Sequence, residues 1–66
     1  MEIIVNGVKE KIEERTTIFS LIKNKDIDFG KVVVEHNCKI IPEDIWGEIE
    51  LENNDKLEIV SFVGGG

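Results

Sequence analysis

The sequence closes with three glycines, Gly64, Gly65 and Gly66, and the group there that could do chemistry is the α-carboxylate of Gly66. Glycine has no Cβ and accepts backbone angles closed to other residues, so these positions predict a narrow, flexible tail. An α-carboxylate, with a pKa of about 3.3 to 3.7, is ionised at neutral pH and is a poor electrophile. We therefore expect Gly66 to need activation by an ATP-dependent partner to an acyl-adenylate, from which a sulfur nucleophile would form a thiocarboxylate. A merely frayed terminus explains the same three glycines equally well.

Other reactive residue types give weaker indications of a site. Cys38 and His36 are the single cysteine and the single histidine, and Lys39 lies close by; a reactive cysteine needs such a positive neighbourhood. We interpret Cys38 instead as a partly buried small residue at a turn. One histidine and one cysteine do not make a four-ligand zinc site, so no metal site is predicted. Trp46, the lone tryptophan, is interpreted as covering an edge of the core.

Three glutamates, Glu48, Glu50 and Glu52, alternate with apolar residues, and this spacing predicts a half-buried strand with one acidic side. The carboxylates would form a row in water rather than a buried pair with separated pKa values, so they do not indicate acid–base catalysis. Neither a Ser-His-Asp set nor a phosphate-binding glycine loop before a helix is recognisable. We predict that the protein is not an enzyme but a cosubstrate on which partner enzymes act.

Composition restricts the class of protein further. With 66 residues, of which 41% are hydrophobic, the chain can build one small core. A single cysteine excludes an intrachain disulfide and fits a reducing compartment. We find no signal peptide and no apolar run of about 20 residues, and the formal net charge of −6 repels phosphate backbones. The expectation is a cytoplasmic protein that binds neither nucleic acid nor membrane.

The first half of the chain predicts a hairpin followed by a helix. A β-rich run at 2–5 precedes Asn6-Gly7, the dipeptide that most readily forms a two-residue hairpin turn, and residues 8–12 return as a second strand. Thr16 or Thr17 can cap a helix. The helix would pack on the sheet through an apolar stripe with i, i+3, i+4 spacing, formed by Ile18, Leu21 and Ile22.

The second half predicts three more strands. Residues 31–37 include three consecutive valines, typical of a strand covered at least partly on both faces. Pro42 to Trp46 is interpreted as a short helical turn or loop, 48–52 as a fourth strand, and 57–63 as the last strand, reached through the turn residues 53–55. The pattern indicates an α+β domain over 1–63 with one helix on one sheet of four to five strands, followed by the tail 64–66.

Two segments, Ile41-Pro42-Glu43-Asp44-Ile45-Trp46 and Phe62-Val63-Gly64-Gly65-Gly66, together with the order of hairpin, helix and turns, resemble the ThiS family of sulfur carrier proteins over essentially the whole chain. The turn Asn53-Asn54-Asp55 departs conservatively from the Asp-Gly-Asp type usual in that family. The resemblance implies a β-grasp, ubiquitin-like fold in which the first and last strands are parallel neighbours in a mixed sheet.

The resemblance also implies a chemistry and a set of partners. A ThiF-like adenylating enzyme would activate Gly66 with ATP and Mg, while the carrier itself would bind no cofactor. A donor such as a cysteine desulfurase would supply the sulfur, and a ThiG-like thiazole synthase would receive it for thiamin biosynthesis. The alternatives are a carrier of the molybdopterin synthase small-subunit type, a ubiquitin-like protein modifier, and an interaction domain with an inert tail.

On this fold, side-chain alternation divides the central strands between two faces. The residues that point at the helix would be Ile3, Val5, Leu57 and Ile59. On the opposite face would lie Ile4, Val60 and Phe62. Exposed apolar side chains beside a reactive tail indicate a partner-binding surface, with Phe62 as its anchor. Ordinary surface exposure of single apolar residues is the alternative.

Overall fold

A computed structural model describes residues 1–62; the predictions made for Val63 and for the tail residues 64–66 lie outside the described residues. The described part contains one helix, α1 (Ile18–Asn24), and two 3₁₀ turns, Phe29–Lys31 and Glu43–Glu48. Its strands are β1 (Glu2–Val5), β2 (Val8–Lys11), β3 (Val32–His36), β4 (Lys39–Ile41) and β5 (Lys56–Ser61).

The five strands of residues 1–62 form one mixed sheet in the order β2-β1-β5-β3-β4. β1 and β5 are parallel neighbours, as the family resemblance implies, and the remaining pairs are antiparallel. The predicted first hairpin is confirmed: Asn6 and Gly7 have φ values of 49° and 82°, the left-handed geometry that makes a two-residue turn compatible with strand twist. The parallel pairing of β5 with β1 places the last described strand beside the first.

Helix α1 covers one face of the sheet, and both its cap and its apolar stripe were predicted. The Thr17 hydroxyl accepts a hydrogen bond from the Ser20 amide at 3.1 Å, and the Ser20 hydroxyl accepts one from the Thr17 amide at 3.0 Å, so two amides of the first turn are satisfied. The core between helix and sheet consists of the fully or nearly buried residues Ile3, Val5, Ile18, Leu21, Ile22, Val32, Val34, Trp46, Leu51, Leu57 and Ile59.

Trp46 lies in this core rather than at its edge. The 3₁₀ turn after Pro42 carries the indole inward, where it is 1% exposed, and the Trp46 Nε1 group donates to the Ile41 carbonyl at 3.0 Å. The Phe29 ring meets it edge to face at a centroid distance of 6.0 Å, a favoured aromatic geometry. The helical turn predicted for Pro42 to Trp46 is confirmed, and Trp46 is its buried residue.

The prediction of a strand over 48–52 is wrong. Only an isolated bridge joins Glu50 to Thr17, because this segment lies against the start of α1, where the Leu51 amide donates to the Thr16 carbonyl at 2.8 Å. The alternation still buries Leu51 and leaves the three glutamates exposed, as predicted.

The strand missing from the prediction is β4. It follows a tight turn in which Asn37 and Cys38 have φ values of 49° and 74°, and it pairs with β3 from Val34↔Ile41 to His36↔Lys39. Cys38 is exposed at this turn, so the turn position is confirmed whereas its partial burial was wrong. A cysteine gives no turn signal comparable to Asn-Gly, which is why the second hairpin was not predicted.

Candidate functional site

The sheet face opposite α1 carries an apolar patch at the C-terminal end of β5. Val60 is 53% exposed and stands directly opposite Val33, which is 38% exposed. Phe62 follows β5 with 47% of its surface exposed, and its amide donates to the Lys31 carbonyl at 2.9 Å, which continues the β3–β5 ladder by one residue. We call Val33, Val60 and Phe62 the apolar patch.

Ile4 is not brought together with this patch. In the parallel pairing Ile4 stands beside Lys56, four residues before Val60 on the same strand, which corresponds to about 13 Å along β5. Glu58 lies between them on the same face. The structure therefore places Val60 and Phe62 together, with Val33 in the position expected of Ile4. Val33 was missed because three consecutive valines predicted cover on both faces, although strand alternation alone puts Val33 opposite its buried neighbours.

Negative charge borders the apolar patch on its side toward the middle of the sheet. Glu35 of β3 and Glu58 of β5 are direct cross-strand neighbours, a like-charge arrangement that is unfavourable in the isolated sheet. The two carboxylates are part of the formal net charge of −6. The face thus favours partners that combine an apolar pocket with positive charge.

Gly64, Gly65 and Gly66 lie outside the described residues, so their predicted role stays a prediction. Chain length nevertheless limits how far the carboxylate can be from the patch. Gly66 is four residues beyond Phe62, and four residues span at most about 14 Å.

One residue near the patch was predicted only as a turn residue. The Asn6 side chain accepts from the Ile59 amide through Oδ1 at 2.8 Å and donates from Nδ2 to the Ile59 carbonyl at 3.1 Å. A single side chain thus serves both backbone groups of a residue in β5, as a neighbouring strand would. The Asn-Gly signal revealed the turn but carried no information about a contact 53 residues away.

A second polar cluster joins the β3–β4 turn to the turn before β5. The Asp55 carboxylate accepts from His36 Nε2 at 2.7 Å, from the Glu52 amide at 2.9 Å and from Asn37 Nδ2 at 3.1 Å. Burial raises the pKa of Asp55, but these hydrogen bonds and the adjacent His36 outweigh burial, and the net pKa lies below its ordinary value of 3.8. Each polar group here has a structural partner, so the cluster stabilises the fold.

The remaining surface offers no stronger site within residues 1–62. A groove of about 560 Å³ lies between β2 and α1 beside the ion pair of Lys25 and Glu10, whose atoms approach to 2.7 Å, and it shares no residue with the apolar patch. No group of three or more metal-ligating side chains occurs in this part of the chain. None of its helices is long and apolar enough to cross a membrane.

The first and last strands, β1 and β5, are parallel neighbours inside a mixed sheet, and one capped helix packs across it. This arrangement defines a small β-grasp domain. Comparison with solved structures agrees: the crystal structure of the thiamine biosynthesis protein ThiS from Geobacter metallireducens superimposes with a TM-score of 0.86 over 100% of both chains at 23% identity. The fold class predicted from the sequence is confirmed.

The sequence model of the ThiS family matches residues 1–66, and the chain belongs to that family. The sulfur carrier protein ThiS of Bacillus subtilis is 40% identical over 63 residues, which cover 94% of this chain and 96% of that protein. A thiazole synthase of Paramagnetospirillum magneticum is 35% identical over all 66 residues. The chain spans only about a fifth of the length of that relative and of a second thiazole synthase.

Proposed function

We propose that this protein carries sulfur as a thiocarboxylate on Gly66 for thiazole formation in thiamin biosynthesis, in the cytoplasm. The observation that carries the proposal is the match to the ThiS family over residues 1–66, because it includes the three glycines. The exposed patch of Val33, Val60 and Phe62 supports it, since it lies on the sheet face opposite α1 and only four residues before Gly66.

In the proposed reaction the carboxylate oxygen of Gly66 attacks the α-phosphorus of ATP and displaces pyrophosphate, with Mg and the catalytic groups supplied by a ThiF-like enzyme. A sulfur nucleophile at the level of hydrosulfide then adds to the acyl carbon and displaces AMP, leaving the thiocarboxylate. A donor such as a cysteine desulfurase holds this sulfur as a persulfide, and a thiol reductant supplies the two electrons that cleave the S–S bond and release the sulfur at the hydrosulfide level. The carrier contributes the carboxylate, the glycine tail that presents it and the docking face. It binds no cofactor of its own.

The proposed acceptor is a ThiG-like thiazole synthase. Support comes from the two relatives named thiazole synthase, in which a segment similar to this whole chain accounts for 20% of the protein. In such a protein the carrier-like segment and the synthase are parts of one polypeptide. This arrangement favours a functional interaction between this chain and a separate synthase.

Intact-mass measurement tests the carrier chemistry directly. The protein is incubated with ATP, Mg, a ThiF-like enzyme and sulfide, and an oxygen-to-sulfur mass increase at the C-terminus is expected. A variant that lacks Gly66 and a reaction without ATP serve as controls, and neither should gain mass. Covalent attachment to lysines of other proteins would instead support a ubiquitin-like modifier, and transfer of the sulfur to a molybdopterin precursor rather than to thiazole would move the protein to that pathway.

The docking surface has its own test. Phe62→Ala removes the largest side chain of the apolar patch, and loss of such an anchor is expected to weaken binding to the activating enzyme by about tenfold or more. Val8→Ala is the matched control, because Val8 is 63% exposed on β2 outside the patch. Affinity measured by calorimetry should fall for Phe62→Ala alone; equal affinity of the two variants would exclude the patch as the docking surface.

A further inference from the structure

The apolar patch lies between charges of opposite sign. At the end toward the middle of the sheet, Glu35 and Glu58 are direct cross-strand neighbours, so their Cβ atoms are about 4.5 to 5.5 Å apart. At the other end, the Lys31 carbonyl accepts from the Phe62 amide at 2.9 Å, which puts an exposed lysine beside Phe62. The surface is therefore negative before the patch and positive after it.

These charges are not neutralised within the described part of the chain. The two ion pairs found in residues 1–62 involve none of Glu35, Glu58 and Lys31. Lys56, two residues before Glu58 on the same strand, forms no ion pair with it either. Like charges directly opposite each other destabilise a sheet, so the free protein retains a pair of glutamates that lowers its stability.

The two charged ends of the patch are too far apart to compensate each other. Phe62, beside Lys31, is four residues after Glu58, which corresponds to about 13 Å along an extended strand. Exposed charges farther apart than the Debye length, about 8 Å at physiological ionic strength, are largely screened from each other. Each end is therefore available for a complementary group of a partner whose apolar surface covers the patch between them.

We propose that this polarity fixes the orientation in which the activating enzyme docks on the sheet. The complementary protein surface carries a basic group opposite the two glutamates, an apolar pocket for the patch, and an acidic group opposite Lys31. An arginine suits the basic position, because its planar guanidinium has several donors for two adjacent carboxylates. A partner docked the other way round would bring like charges together at both ends, which is strongly unfavourable in an interface. This inference rests on the proposed function and adds the direction of docking to it.

The test exchanges the two signs without changing the net charge. The double variant Lys31→Glu with Glu58→Lys reverses the polarity of the patch and keeps the formal net charge of −6. It also leaves Glu35 opposite a cation, so its midpoint of thermal unfolding should equal or exceed that of the wild type. The matched control, Glu14→Lys with Lys23→Glu, exchanges two exposed charges outside the sheet that take part in neither ion pair.

The dissociation constant for a ThiF-like enzyme is measured by calorimetry at low and at physiological ionic strength, with all variants folded. For the patch exchange we expect it to rise about tenfold or more at low ionic strength, and less as salt screens the charges. The control exchange should stay within about threefold of the wild type, since exposed charges outside an interface contribute little.

A wild-type dissociation constant for the folded patch exchange would overturn the inference, because net charge and the apolar patch alone would then account for binding. An equal loss of affinity in both exchanges would overturn it as well. Failure of the wild type itself to bind the enzyme and to be adenylated would instead refute the proposed function.

Discussion

Replacement of Asp55 probes how this small fold is held together. Its carboxylate is the common acceptor for His36, Asn37 and the Glu52 amide, and the side chains of Asp55 and His36 are only 12% and 19% exposed. Asp55→Ala leaves all three donors without this acceptor and detaches the β3–β4 turn from the turn that leads into β5.

The size of the effect follows from the number and kind of bonds lost. A hydrogen bond to a charged group contributes about 1.5 to 3 kcal/mol, and water can partly replace those at the rim, so we expect a loss of about 3 kcal/mol for Asp55→Ala. A chain of 66 residues has a free energy of unfolding of about 3 to 10 kcal/mol. The midpoint of thermal unfolding should fall by about 12 °C or more. Asp55→Asn, which keeps one acceptor oxygen, should lose about half as much free energy.

The effect must also depend on pH with a definite sign. The folded-state pKa of Asp55 lies below its ordinary value of 3.8, so its contribution is fully present above pH 3.8 and is lost as the pH falls through the lower folded pKa. The difference in unfolding free energy between wild type and Asp55→Asn should therefore be constant near pH 5 and shrink as the pH falls below 3.8.

Urea denaturation followed by the fluorescence of Trp46 measures this difference, because the indole is 1% exposed in the folded state. Asp44→Asn is the matched control, an exposed acid whose side chain makes no hydrogen bond in the described part of the chain. A change of less than about 0.5 kcal/mol for Asp55→Ala, the level of ordinary surface substitutions, would refute the reasoning. So would a difference for Asp55→Asn that stays the same down to about pH 2.5.

Two further outcomes follow from local contacts. Thr17→Ala removes the helix cap and should lower the free energy of unfolding by about 1 kcal/mol in urea titrations, whereas Thr17→Ser should restore it; equal stability of the two would argue against the cap. Lys25→Met with Glu10→Gln removes an ion pair whose side chains are 29% and 31% exposed, and the double variant should stay within about 1 kcal/mol of the wild type by the same measurement. A larger loss would assign this pair a structural role that its exposure does not predict.

Features set by near neighbours in the chain were predictable from the residues alone. Asn6-Gly7 determines a left-handed turn, Thr17 determines a helix start, and the stripe that begins at Ile18 determines the buried side of α1. The exposed positions of Val60 and Phe62 also follow from strand alternation, once the last strand is recognised. The family resemblance added the pairing of the first and last strands, which no local pattern in the sequence reveals.

Other features depend on which segments meet, and only the tertiary structure decided them. The register of β1 against β5 separates Ile4 from Val60, and the register of β3 against β5 puts Val33 in its place. The alternation at 48–52 buries Leu51 whether the segment pairs with a sheet edge or lies against the start of α1. The pattern alone therefore does not distinguish a strand from the observed arrangement. Asn6 reaches Ile59 across 53 residues. Hydrogen bonds and side-chain contacts of this kind depend on distances in space, which the order of residues along the chain does not specify.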